Sequence, residues 1–181
     1  MVDAGILVSN TPDVLTETTA DFGFALMMAA ARRIAEAERW LRDGHWGQWN
    51  FESLLGGGIH PNTLGILGMG RIGQGIARRA VGFDMRVLYH NRNRLPEAVE
   101  RECRAEYTDL DGLLARADHL VLVLPYSAQT HHLIDATALA KMKRTATLTN
   151  IARGGLVDED ALADALEGDR LAAAALDVYE G

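Results

Sequence analysis

The 181 residues predict an α/β fold, a doubly wound parallel sheet with a helical arm at its N-terminus. Three observations carry that prediction. Short apolar runs alternate with helix-period stretches from residue 63 onward, the mark of repeated strand–helix–strand units. The first of those runs, Leu64 to Leu67, leads into the glycines Gly68, Gly70 and Gly73, while Ile72, Ile76, Ala80 and Phe83 follow at helical spacing. Ahead of both, residues 13–46 read as helix, nearly all apolar at first and then amphipathic with Ile34, Ala37 and Leu41 on one face.

Taken in order, residues 5–8 form a strand-like scrap closed by the turn signal Ser9-Asn10-Thr11-Pro12. A helix apolar all round, lying outside the sheet, is expected to be buried by a second subunit. Trp40, Trp46 and Trp49 at its far end point the same way. Gly56-Gly57-Gly58 precedes its strand instead of following it, so it reads as a flexible connector. Strands are expected at 63–68, 85–90, 119–124, 145–151 and 172–178, with a short one at 105–107. Helices are expected at 71–83, 109–117, 135–143 and 158–168. The last begins with Asp158, Glu159 and Asp160, where the helix dipole favours acids.

Composition sets limits. A net charge of −7 excludes a general nucleic-acid binder, which needs a basic face. The apolar run at 22–31 is far shorter than the roughly 20 residues of a membrane span. Asp3, Asp13, Glu17 and Asp21 stand where a secretory signal needs cations. Cys103 is the sole cysteine, so no internal disulfide forms and a reducing, cytoplasmic setting is expected. No cluster reads as a metal site. Charge is uneven along the chain: residues 71–104 hold eight arginines against four acids, a basic band that suits an anionic ligand.

The glycines say which ligand. Gly68 permits a tight turn off the strand, Gly70 lets the backbone approach a pyrophosphate, and Gly73 lets the helix pack close to the strand. This is the dinucleotide-binding pattern of a Rossmann-type sheet. An NAD site places an acid at the end of the second strand, on the ribose 2′-hydroxyl. Here that strand ends in His90 and continues Asn91-Arg92-Asn93-Arg94, with no carboxylate. Guanidinium groups match a 2′-phosphate, so NADP(H) is favoured and NAD(H) remains possible. His90 is expected beside the adenosine.

Three further motifs join the loop: Leu124-Pro125 with Thr130, the stretch Asn150 to Asp158, and the stretch Leu176 to Glu180. Together with residues 10–20 they resemble the D-isomer-specific 2-hydroxyacid dehydrogenases, most closely the glyoxylate/hydroxypyruvate and 2-ketogluconate reductase branch. The resemblance implies that Met69, Gly70, Arg71 and Ile72 contact the pyrophosphate and that Asn91, Arg92 and Asn93 flank the ribose. It implies that Leu124 and Pro125 line the adenine side, that Ile151, Ala152 and Arg153 lie at the nicotinamide, and that Asp177 holds the carboxamide. Arg153 corresponds to the catalytic arginine, which binds the carboxylate of a small 2-oxoacid and polarises its carbonyl. The family also implies a homodimer through the arm.

The chain departs from the family at both ends. A family glutamate falls two residues past Glu180, and a histidine acid follows in a later Pro-His motif; this sequence stops at Gly181. His45, His60, His90, His119, His131 and His132 do not match that acid by position. Residues 1–12 read as the remnant of a substrate-binding domain. Residues 13–181 read as the NAD(P)-binding domain, with the arm over 13–50 and the sheet core over 60–181. The expected activity is reduction of a glyoxylate- or hydroxypyruvate-like acid to the D-2-hydroxyacid, with this chain alone inactive. The rival reading is a non-catalytic dinucleotide-binding module or sensor. An S-adenosylmethionine enzyme would want an acid after the second strand, which is lacking.

Overall fold

Among the described residues the first elements are two helices, Thr16–Ala31 (α1) and Ile34–Arg42 (α2), followed by six strands and five further α-helices. The strands are Thr63–Leu67 (β1), Arg86–His90 (β2), Ala105–Tyr107 (β3), His119–Leu122 (β4), Thr147–Asn150 (β5) and Ala173–Leu176 (β6). They form one sheet in the order β3-β2-β1-β4-β5-β6, parallel throughout. The helices between them are Arg71–Val81 (α3), Glu97–Cys103 (α4), Leu110–Arg116 (α5), Ala136–Lys141 (α6) and Glu159–Glu167 (α7). This computed structural model describes residues 5, 7, 9–50 and 52–180. Residues 6 and 8 of the expected strand at 5–8, and residues 1–4 of the remnant over 1–12, lie outside the described residues.

Alternating side chains fill a core on each face. Leu64, Ile66, Val87, Tyr89 and Val121 point toward Phe24, Met27 and Ile76 of α1 and α3. Leu88, Leu120, Leu122 and Leu148 pack with Leu113 and Leu162 of α5 and α7. Three helix starts are capped by aspartates: Asp109, Asp135 and Asp158 accept the N–H groups of Gly112, Ala138 and Ala161 at 2.7, 2.8 and 3.0 Å.

Three expectations need correction. The arm is two helices, because Arg33 adopts a left-handed conformation at φ 54°. The sequence has no breaker there; the Ala31 carbonyl instead accepts the Gly57 N–H at 2.8 Å, which turns the connector against the end of α1. The glycine connector is accordingly tied down. Gly58 O receives Asn62 Nδ2 at 2.7 Å and His119 Nε2 at 3.0 Å. Burial of α1 is also internal: Ala20, Gly23, Phe24 and Met27 pack within this chain, with Gly23 against Ile151. A β-carbon on Gly23 would stand 2.6 Å from Ile151 Cδ1, so α1 seats directly on the segment after β5. By contrast α2 buries no residue, leaving Ile34 and Leu41 55% and 57% exposed.

His119 holds the amino-terminal edge. A carbonyl can only accept, so Nε2 carries the proton toward Gly58 O, and Nδ1 accepts from the Thr147 hydroxyl at 2.9 Å. Burial pushes its pKa down, in keeping with a neutral ring inside the core. A cavity of about 720 Å³ opens beside it, lined by Arg33, Gly57, His119, Thr147 and Ala173. That edge is remote from the glycine loop. No helix among the described residues is long and apolar enough to cross a membrane.

Candidate functional site

The sheet order reverses between β1 and β4, so the connections leaving their paired carboxyl ends run opposite ways and leave a crevice, the place where open α/β sheets bind ligands. The residues singled out from sequence converge on this edge. Gly68 to Gly73 follow β1, His90 to Arg94 follow β2, Leu124 to Thr130 follow β4, Ile151 to Arg153 follow β5, and Asp177 follows β6.

The glycine loop is shaped for an anion. Gly70 has nothing within 4 Å of where a β-carbon would stand, whereas Gly73 would meet Gly68 O at 2.5 Å. The N–H groups of Arg71, Ile72 and Gly73, in the first turn of α3, have no partner among the described residues. These free donors at a helix start, beside an open Gly70, fit a dinucleotide pyrophosphate. Met69 differs from the expectation: its side chain is buried, and its N–H is taken by Asn91 Oδ1 at 2.6 Å. Asn91 therefore ties β2 to the loop. Arg71 points its guanidinium at Asp13, 2.6 Å away.

The basic band is largely neutralised from within. Arg78 and Arg79 pair with Glu17 and Asp21 of α1, Arg86 with Glu106, and Arg101 with Glu97. Arg94 forks onto Glu100, both bonds 2.8 Å. Of the eight arginines between 71 and 104, Arg92 and Arg104 are the two without a side-chain partner among the described residues. Arg92 is the one that sits at the end of β2. His90 packs beside the same corner, its Nδ1 donating to Thr108 O at 2.9 Å and its ring stacked on Tyr107.

Glu100 was invisible to sequence reasoning. It is 7% exposed, receives Tyr89 OH at 2.7 Å as well as Arg94, and lies on α4, a helix too short to show a period. The Arg94 guanidinium and then the Tyr89 hydroxyl hold its carboxyl well below the usual range, at about 2. Burial, then the Glu100 carboxylate, pushes the Tyr89 phenol up to about 12, so it stays a donor. A depressed carboxyl pKa stabilises the fold above the ordinary carboxylate range, and that contribution is lost as pH falls toward 2. Urea titrations between about pH 5 and pH 2 should therefore show the gap between wild type and Glu100→Gln closing on acidification. A constant gap would contradict the assignment.

At β5 the buried Asn150 builds the turn that presents Arg153. Its Nδ2 donates to Arg153 O at 2.9 Å and its Oδ1 accepts the Ala152 N–H at 3.0 Å. Ile151 and Ala152 are buried, while the Arg153 side chain reaches outward with one N–H on Ala152 O. The Thr130 hydroxyl, expected at the ligand, closes its own turn: it accepts the Ser127 N–H at 2.7 Å and lies 3.2 Å from Pro125 O. Asp177 is exposed, its N–H on Asn150 O.

Behind Arg153, Gly154 and Gly155 pass under Tyr179 and Glu180. A β-carbon on Gly154 would overlap the Tyr179 carbonyl carbon at 1.9 Å. Above them His132 Nε2 and Glu180 pair at 2.7 Å, with His131 stacked on His132. The Glu180 carboxylate raises the His132 pKa. Among the described residues His131, His132 and Glu180 form a group of three whose ligand atoms all lie within 4.8 Å of one another.

Residues 24–181 match the family model of the D-isomer specific 2-hydroxyacid dehydrogenase, NAD binding domain. The chain is 49% identical over 180 residues to a glyoxylate reductase of Pyrococcus horikoshii, covering 97% of itself and 54% of that protein. The crystal structure of the TT0316 protein from Thermus thermophilus superposes with a TM-score of 0.91 at 46% identity, over 98% of this chain and 55% of the other. A glyoxylate reductase structure from Paecilomyes thermophila gives 0.89 at 43% identity, over 99% and 53%. The chain thus spans about half the length of the relatives it matches.

Proposed function

The chain belongs to the D-isomer-specific 2-hydroxyacid dehydrogenases as their NAD-binding domain, and on that footing we propose that it is the cofactor half of an NADPH-dependent reductase for a small 2-oxoacid. Glyoxylate or hydroxypyruvate fits the reading, with the D-2-hydroxyacid as product. The observation that carries the activity is Arg153, an exposed guanidinium on a backbone turn that Asn150 holds, at the carboxyl edge that also bears the free N–H groups of α3. Such a fork orients a planar carboxylate and stabilises charge growing on the adjacent carbonyl oxygen. Ile151 and Ala152 supply a dry wall behind it. The first turn of α3 would hold the pyrophosphate, and Asp177 is free to meet a carboxamide. A reduced nicotinamide bound there supplies the hydride. Turnover belongs to the complete reductase, and cofactor binding to these 181 residues.

NADPH preference rests on Arg92, unpaired among the described residues at the end of β2, where no carboxylate stands. A guanidinium–phosphate contact contributes about 1.5–3 kcal/mol, so Arg92→Ala should weaken NADPH about 10- to 100-fold and leave NADH nearly unchanged. Fluorescence titration of both cofactors decides it; equal losses would overturn the preference.

We also infer a homodimer through residues 13–50, in a cytoplasmic enzyme. Support comes from the apolar face of α2, Ile34 with Leu41, and from the exposed Trp46 beyond it. Sedimentation velocity should give the mass of two chains, and Leu41→Asp should give one. A wild-type monomer at micromolar concentration would remove the inference.

A further inference from the structure

Two arginines close together after β2 need not do the same work, and their surroundings differ. Residues 91–95 form the turn that leaves the sheet at the adenosine end of the crevice. It is pinned at its start by Asn91, whose Oδ1 takes the Met69 N–H at 2.6 Å. It is pinned at its end by Leu95, whose N–H donates to the Tyr89 hydroxyl at 2.9 Å. That hydroxyl donates in turn to Glu100 Oε1 at 2.7 Å, and Arg94 closes the set with two bonds of 2.8 Å to both Glu100 oxygens. One buried carboxylate thus gathers the side chain of Arg94, the hydroxyl of Tyr89 and, through it, the backbone of Leu95. Arg92 and Asn93 are the two residues of the turn without a brace among the described residues, and both are exposed.

We propose that Glu100 is the positioning residue for cofactor selectivity: it holds the Arg94 guanidinium as a strut across the turn, so that Arg92 is the arginine presented to the 2′-phosphate. This rests on the NADPH reading above and divides its labour. Arg94, expected from sequence as a second phosphate ligand, has its guanidinium forked onto the Glu100 carboxylate, although its side chain stays 63% exposed. Glu100 never touches the cofactor; it acts by fixing the path of the backbone that carries Arg92. Without it the Tyr89 hydroxyl that takes the Leu95 N–H loses its own anchor and Arg94 its partner, and the guanidinium of Arg92 samples directions that miss a phosphate. A hydrogen bond to a fixed partner is lost more readily than contact with the unsubstituted ribose, so the penalty falls on NADPH.

The test is a double-mutant cycle on the 181-residue chain, with dissociation constants for NADPH and NADH read by fluorescence and melting temperature recorded alongside. Glu100→Gln should weaken NADPH about five-fold or more, within the coupling range for residues of one hydrogen-bond network, and shift NADH less than about two-fold. In an Arg92→Ala background the same change should cost NADPH binding nothing further, because the residue through which Glu100 acts is gone. Tyr89→Phe, which cuts the link to Leu95 while keeping the ring, should shift selectivity in the same direction and serves if Glu100→Gln does not fold. Equal losses for both cofactors, additivity with Arg92→Ala, or tighter NADPH binding from a released Arg94 would each overturn the proposal. If Arg92→Ala itself proves unselective, the NADPH reading fails; if Arg92→Ala is selective and Glu100→Gln is silent, only the role of Glu100 fails.

Discussion

Gly68→Ala is expected to destabilise the domain by roughly 2–5 kcal/mol, combining a backbone penalty of about 1–2 kcal/mol with an overpacking cost of about 1–3 kcal/mol. Gly68 sits at φ +103°, which L side chains rarely adopt. A β-carbon there would stand 2.7 Å from Leu124 N and 2.8 Å from the Val123 carbonyl carbon. Those are backbone atoms, and the Val123 N–H is bonded to Leu67 O at 2.9 Å, so neither side can rotate away. The only relief is to push β1 and β4 apart at the crevice. Since whole domains are stable by about 5–15 kcal/mol, the loss should be plain in urea titration. Gly70→Ala is the contrast: nothing lies within 4 Å, so folding should survive while the methyl blocks the approach of phosphate. An unchanged urea midpoint for Gly68→Ala would refute the packing argument, and full NADPH affinity in Gly70→Ala would refute the loop's role.

On the proposed reading, Arg153→Met in the full-length protein should lower kcat/KM for a glyoxylate-like 2-oxoacid about 10²- to 10⁴-fold, the equivalent of two charge-assisted hydrogen bonds at about 1.5–3 kcal/mol each. The NADPH dissociation constant should not move, because Arg153 faces outward from a turn that Asn150 holds through the backbone. Arg153→Lys keeps the charge and loses the fork, so it should recover only part of the rate. A methionine variant within about ten-fold of wild type would remove Arg153 from the chemistry.

Much of this was legible in the linear chain because the signals are local. The stretches at 63–67, 86–90 and 119–122 are strands because each carries a short apolar run whose residues are buried on both faces of a parallel sheet. Asp109, Asp135 and Asp158 mark helix starts three residues ahead of the N–H groups they accept. The glycine triplet declared its turn, its open approach and its close packing through the absence of side chains alone. Helix α4 escaped notice because seven residues with Val99 and Cys103 as its apolar pair show no period.

By itself, then, the sequence determined the parallel α/β sheet, the crevice edge and the set of residues that meet there. Backbone propensity and hydrophobic period act within a few residues and leave a readable trace. Tertiary structure decided which of those residues remain available: it gave Arg94 to Glu100, Arg71 to Asp13 and the Met69 N–H to Asn91, and it turned α1 inward onto Ile151. A charge or a donor is only a ligand if no neighbour has claimed it. Such neighbours lie far apart in sequence or on different elements, and for the buried Glu100 carboxylate no water stands in for them, so they are settled only when the chain has closed.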